Sequence, residues 1–142
     1  MITMTTINGK KETEKEIPDI LKENFEELKE FLKLSENWDN QGSIPINEKT
    51  LNQTKFIVKN LIEVMSDFSM PIPDIGAVPN GSIDIYFKTD FYKIVINIPA
   101  DLNDYIEIYG KTINHELPKL DIMTKNSESI HFVIREWLKK IL

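Results

Sequence analysis

The chain of 142 residues is long enough to bury one hydrophobic core, and two stable domains would strain that length. It contains no cysteine, which excludes disulfides, thiol catalysis and cysteine-ligated metal sites. A formal net charge of -6 opposes general attraction to nucleic acid and anionic lipid, and no apolar run approaches the roughly 20 residues that span a bilayer. We therefore expect a cytoplasmic protein that binds neither nucleic acid nor membranes.

The first half of the chain carries two amphipathic helical patterns. Residues 1–16, rich in Thr, Lys and Glu, are predicted to be a mobile N-terminal arm, and residues 17–142 a single domain. Apolar residues spaced three and four apart over 21–32 predict a helix that ends near Leu34. Asn47 is a predicted N-cap, and the helix after it carries apolar residues at Leu51, Val58, Leu61, Ile62 and Met65.

Beyond Met70-Pro71-Ile72-Pro73, which cannot continue a helix, the apolar period changes to two. Asn80-Gly81 is a strong signal for a type I′ hairpin, and Pro79 before it marks the incoming strand as an edge. This pattern predicts an antiparallel meander. Its strands cover residues 75–78, 82–88, 91–98 and 105–109, the last closed by Gly110, with a short edge strand near 112–114.

A last helix is predicted after an N-cap at Asn126 or Ser127, and its apolar positions are Ile130, Val133, Ile134, Trp137, Leu138 and Ile141. An antiparallel sheet with one apolar face needs a cover, which three amphipathic helices supply. The predicted fold class is therefore α+β. We expect a two-layer sandwich in which a meander of about four strands is packed by three helices, in the order ααββββα.

The stretch Asn37-Trp38-Asp39-Asn40-Gln41-Gly42-Ser43-Ile44-Pro45-Ile46 separates the first two helices. Asp39 is placed to accept backbone amides in an Asx-turn, Gly42 to take a positive φ, and Pro45 to stiffen the entry to the second helix. Trp38 is predicted to pack at the junction of the two helices with its N–H on a carbonyl. We interpret these four residues as a structural corner. The alternative is that Trp38 and Asp39 belong to a ligand site.

The same stretch and the later run Asn80-Gly81-Ser82-Ile83-Asp84-Ile85 together resemble a set of small bacterial proteins of unassigned function. Those proteins look like N-W-D-G-x-G-A-x-P-I upstream and D-G-x-I-x-L-x-W downstream, so the resemblance covers roughly residues 28–110. Asn40, Gln41 and Ser43 depart from the first pattern, and Asn80 and Phe87 from the second. The resemblance implies a shared fold and carries over no activity.

Few residues offer catalytic or metal chemistry. His115 and His131 are the two histidines of the chain, and neither has a metal-ligand spacing. The sequence contains no P-loop, nucleophile elbow or dinucleotide-binding motif. We predict no catalytic residue, no metal and no cofactor.

The outward positions of the predicted strands combine tyrosines with mixed charges, which is typical of protein-binding surfaces. We predict a partner-binding site that includes Tyr86, Lys88, Tyr105, Glu107 and Tyr109. The alternative is that these tyrosines only stabilise cross-strand pairs.

Two function classes remain open. The first is a non-catalytic protein–protein interaction module of an antitoxin, immunity or anti-defence type, which binds a basic enzyme or toxin through an acidic, tyrosine-bearing sheet face. A homodimer is compatible with this function. The second is a small enzyme or ligand-binding protein with a cleft near Trp38 and Asp39, to which His115 would contribute.

Overall fold

The computed structural model describes residues 22–23, 25–68 and 70–142, so the arm predicted for residues 1–16 lies outside the described residues. The first helix, α1, is described over 22–23 and 25–31. It is followed by α2 (Glu48–Val64), β1 (Asp74–Ala77), β2 (Ile83–Lys88), β3 (Tyr92–Ile98), β4 (Ile106–Thr112), β5 (Leu120–Thr124) and α3 (Ile130–Ile141). None of the helices in the described ranges is long and apolar enough to cross a bilayer.

The sheet is an antiparallel meander in which each strand pairs with its neighbours in the chain, in the order β1-β2-β3-β4-β5. Three helices accompany it, which confirms the predicted α+β class, with five strands in place of about four. β1 is an edge strand, as Pro79 predicted, and β5 is the other edge.

The last part of the sheet differs from the prediction. Gly110 lies inside β4, which continues to Thr112, and no separate strand forms at 112–114. The fifth strand instead begins at Leu120, two residues after Pro118, and pairs Leu120 with Gly110. A glycine interrupts the apolar alternation without ending the strand, because its backbone still pairs on both sides.

The turn between β1 and β2 is also different from the prediction. The amide of Gly81 donates to the carbonyl of Val78 over 2.9 Å, and of the three loop residues 79–81 only Gly81 has a positive φ, +89°. A type I′ turn needs a positive φ at Asn80 as well, so that prediction is wrong. Pro79, with its fixed negative φ, sits at the first central position of a type I turn followed by a left-handed Gly81.

The core lies between one face of the sheet and the helices. Alternate strand residues are buried on this face, among them Ile85, Phe87, Ile94, Ile96 and Ile108, and they pack with Ile57, Val58 and Leu61 of α2 and Ile134 and Leu138 of α3. A second cluster joins Leu28 of α1 to Ile46, Leu51 and Ile83. Every described helix therefore contributes to the cover on the same side of the sheet.

Trp137 is the aromatic anchor of α3. Its indole N–H donates to the carbonyl of Pro118 over 2.7 Å, and its ring meets the ring of Tyr92 edge-on with the centroids 6.2 Å apart. The far edge of the indole lies against Gly110, where an added Cβ would stand 3.0 Å from Trp137 Cη2 and 3.3 Å from Leu120 Cβ. Gly110 therefore provides the space that lets α3 approach β4.

We expect Gly110→Ala to destabilise the protein by about 1–3 kcal/mol, because the new methyl group overpacks the space under the Trp137 ring. Gly76→Ala is the matched control, since a Cβ at Gly76 has no neighbour within 4 Å, and its effect should stay within about 0.5 kcal/mol. Urea denaturation followed by tryptophan fluorescence measures both. Equal stability of the two variants would contradict the role assigned to Gly110.

The hydroxyl of Tyr92 is buried and has no hydrogen-bond partner among the described residues, and burial raises the pKa of this phenol. We expect Tyr92→Phe to leave the free energy of unfolding unchanged or to increase it by up to about 1 kcal/mol, because the hydroxyl is desolvated without compensation. Chemical denaturation is again the measurement. A loss of stability would contradict the uncompensated desolvation of this hydroxyl.

Candidate functional site

The sheet face opposite the core is covered by no element of the described chain. We call it the open face, and its outward residues fall into three rows that run across the strands, because directly opposed residues of neighbouring strands point the same way. The rows follow from the register of the four strand pairs.

The central row is aromatic and apolar in its middle. Tyr86 of β2, Val95 of β3 and Tyr109 of β4 are directly opposed, and each is half-buried by its neighbours. Asp74 of β1 and Asp121 of β5 end the row at the two edges of the sheet. The middle of the open face therefore offers two amphipathic rings beside a β-branched side chain, a combination suited to contact with another protein.

The lysine row lies toward the turn that joins β2 to β3. Lys88 opposes Lys93, and Lys93 opposes Lys111, so three lysine side chains project side by side from the same face of the sheet. None of the three takes part in an ion pair within the described residues. Like charges that oppose one another across strands destabilise a sheet, so this arrangement costs the isolated fold free energy.

The carboxylate row lies at the other end of the open face and contains Asp84, Asn97 and Glu107. The Asn97 amide bridges its neighbours, because its Nδ2 donates to Asp84 Oδ1 over 2.8 Å and to Ser82 Oγ over 2.9 Å. Glu107 is exposed and borders a hollow of about 320 Å³, whose other lining residues are Asn80, Ser82, Asn97, Pro99, Ala100, Asp104, Tyr105 and Met123.

The structure brings four of the five predicted partner-binding residues onto the open face proper. Tyr86 and Tyr109 share the central row, Lys88 lies in the lysine row and Glu107 in the carboxylate row. Tyr105 precedes β4 and stands at the rim of the hollow, where Lys125 Nζ lies 5.0 Å from the centre of its ring.

The open face carries charges of both signs. The three rows carry four carboxylates, those of Asp74, Asp84, Glu107 and Asp121, and three lysines, with the lysines gathered at one end. Sequence reasoning missed Lys111, because β4 was taken to end at Gly110. Carrying the period-two alternation through the glycine would have placed Lys111 beside Lys93.

The Trp38 stretch forms a hydrogen-bonded loop. The half-buried Trp38 donates its indole N–H to the carbonyl of Ile44 over 3.1 Å, and it belongs to neither core cluster. Gly42 has the expected positive φ of +82°, and the Ile44 amide donates to the carbonyl of Pro79 over 2.7 Å. Pro45 is half-buried directly before the buried Ile46. The loop therefore joins α1 and α2 to the β1–β2 turn.

Asp39 is engaged within this loop. One carboxylate oxygen accepts the Ser43 hydroxyl and the Gln41 amide, and the bond from Ser43 is the main reason that the pKa of Asp39 is lowered. His115 lies elsewhere, with its ring centre 4.7 Å from that of Phe91 beside the β2–β3 turn. The loop and His115 thus lie at opposite ends of β2, roughly 20 Å apart at about 3.3 Å per residue. The three residues of the predicted cleft do not converge.

No family model, curated protein or solved structure matches this chain. Within the described ranges, no group of three or more histidine, aspartate and glutamate side chains is arranged to hold a metal ion.

We expect Ser43→Ala to raise the pKa of Asp39, because it removes the hydrogen bond that contributes most to lowering it. A carboxylate with a lowered folded-state pKa stabilises the fold above its unfolded pKa, and this contribution is lost as the pH falls through the folded pKa. The acid-induced loss of stability that Asp39 causes should therefore shrink in the variant. Carboxyl NMR titration measures the pKa, with the exposed Ser35→Ala as control. An unchanged Asp39 titration in Ser43→Ala would contradict the assignment.

Proposed function

We propose that this chain is a non-catalytic, cytoplasmic protein–protein interaction module whose contact surface is the open face. The observation that carries the proposal is a five-stranded sheet with helices on one side only and a Tyr-Val-Tyr row across the middle of the other. An antitoxin, immunity or anti-defence role fits a small acidic protein of this kind, and its partner would be a basic enzyme or toxin.

The chemistry of the central row supports a protein partner. Tyr86 and Tyr109 each present a ring and a polar tip at low conformational cost, and Val95 between them adds apolar area without charge. Tyrosine is one of the residue types enriched among those that carry most of the binding energy of protein interfaces. The surrounding charges here are the lysine row on one side and the carboxylate row on the other.

The charge of the whole chain favours a protein over nucleic acid or a membrane as the partner. A net charge of -6 repels phosphates at long range, and on the open face four carboxylates outnumber three lysines. The carboxylate row and the hollow beside Glu107 are suited to a lysine or arginine side chain of a basic partner.

The test is capture of the partner from the native host with the tagged full chain. We expect Tyr86→Ala combined with Tyr109→Ala to abolish capture while the melting temperature changes by only a few degrees, because the two rings are half-buried and lie outside the core. Quantitative mass spectrometry of the captured proteins is the readout, with circular dichroism to check folding.

The matched control replaces two exposed aromatic residues on the helical side, Phe56 of α2 and Phe132 of α3, by alanine. This variant should capture the partner as the unmodified chain does. Loss of capture in the control alone would move the interface to the helices, and binding of single-stranded nucleic acid in place of protein would contradict the partner class.

A further inference from the structure

We propose that the open face is self-complementary and that a second copy of this chain docks on it about a two-fold axis that runs along the central row. The inference rests on the proposed function, because it names an occupant for the same face. The inference follows from the order of the three rows. The lysine row and the carboxylate row lie at equal distances on either side of the central row, and they carry opposite charges.

A two-fold rotation about the central row turns one sheet over and reverses its strand direction. Each strand then lies over its own copy, while the lysine row of one molecule lies over the carboxylate row of the other. Lys88 comes to face Asp84 of the second copy, and Lys111 comes to face Glu107 of the second copy. Lys93 faces Asn97, and each pairing occurs twice because the interface is isologous.

The other way to stack the two faces is disfavoured by charge. A two-fold axis along β3 keeps the rows in place, so Lys93 would face its own copy and Lys88 would face Lys111. That arrangement places three lysines over three lysines, and like charges that meet across an interface strongly oppose association. The charge pattern therefore selects one of the two face-to-face arrangements.

The central row supplies the apolar part of the contact. On the axis, Tyr86, Val95 and Tyr109 each meet their own copies, and aromatic pairs of this kind pack edge-on or offset. Asp74 and Asp121 would also meet their own copies, which opposes association. Both are exposed at the edges of the sheet, where water and salt screen the repulsion and where twisted sheets diverge.

The open face is small for an interface between two copies of the chain. Five strands spaced about 4.8 Å apart, each contributing about five residues of about 3.3 Å along its length, give the open face an area of roughly 400 Å². Two copies would therefore bury about 800 Å² in total. This area is below that of stable interfaces and belongs to transient ones. We therefore expect association that depends on protein concentration and that falls with added salt.

Charge exchange between positions 107 and 111 of β4 tests the arrangement, because neither Glu107 nor Lys111 makes an ion pair within the described residues. Sedimentation equilibrium of the full chain should show a monomer–dimer equilibrium. Lys111→Glu alone and Glu107→Lys alone should each raise the dissociation constant at least tenfold. An equimolar mixture of the two variants should associate again, because each altered face then meets the opposite charge, and the double variant should dimerise by itself.

A chain that stays monomeric at millimolar concentration overturns the dimer. Dimerisation of the unmodified chain with no recovery in the mixture overturns this arrangement of the two faces. Neither result removes the proposed function, which fails separately if Tyr86→Ala with Tyr109→Ala leaves capture of the host partner unchanged. Circular dichroism of each variant establishes that lost association does not come from lost folding.

Discussion

Burial of one face of the sheet is the constraint on which the rest of the structure depends. Ile94, Ile96 and Ile98 of β3 point into the core, and all described helices cover that side. A shift of one residue in any strand would expose its apolar set, so the core fixes the register of the sheet. The same register also decides which residues lie beside one another on the open face. The arrangement of residues on the open face is therefore a consequence of core packing.

The parts of the fold that sequence predicted are those with uninterrupted periodicity. β2 and β3 alternate strictly, and the six apolar residues of α3 fall on one helical face. Prediction of turns and strand ends failed at proline and glycine, because each of these residue types has more than one structural role. Pro79 changed the turn class expected from Asn80-Gly81, and Gly110 was interpreted as a strand end although it makes room for Trp137. The role of Gly110 depends on a contact with a residue that is distant in sequence, and the local sequence pattern carries no information about that contact.

The candidate site was also predictable from the sequence only in part. The outward position of Tyr86, Lys88, Glu107 and Tyr109 follows from counting alternate residues, and sequence was sufficient for that. Their grouping into rows depends on the pairing between strands, which is a property of the assembled sheet. The lysine row was missed for a different reason, because β4 was predicted to end at Gly110 and Lys111 was therefore left outside the sheet.

The meander order of the sheet has a consequence for how the chain folds. Every strand pairs with the strand next to it in sequence, so the contacts that build the sheet close short loops and have low contact order. Such a sheet grows by successive hairpins. Closures over longer stretches of chain bring α2 and α3 onto the apolar face, as the contact of Trp137 with Gly110 does. We therefore expect this β-rich chain to fold faster than β-sandwiches of similar length, in which non-local pairings dominate.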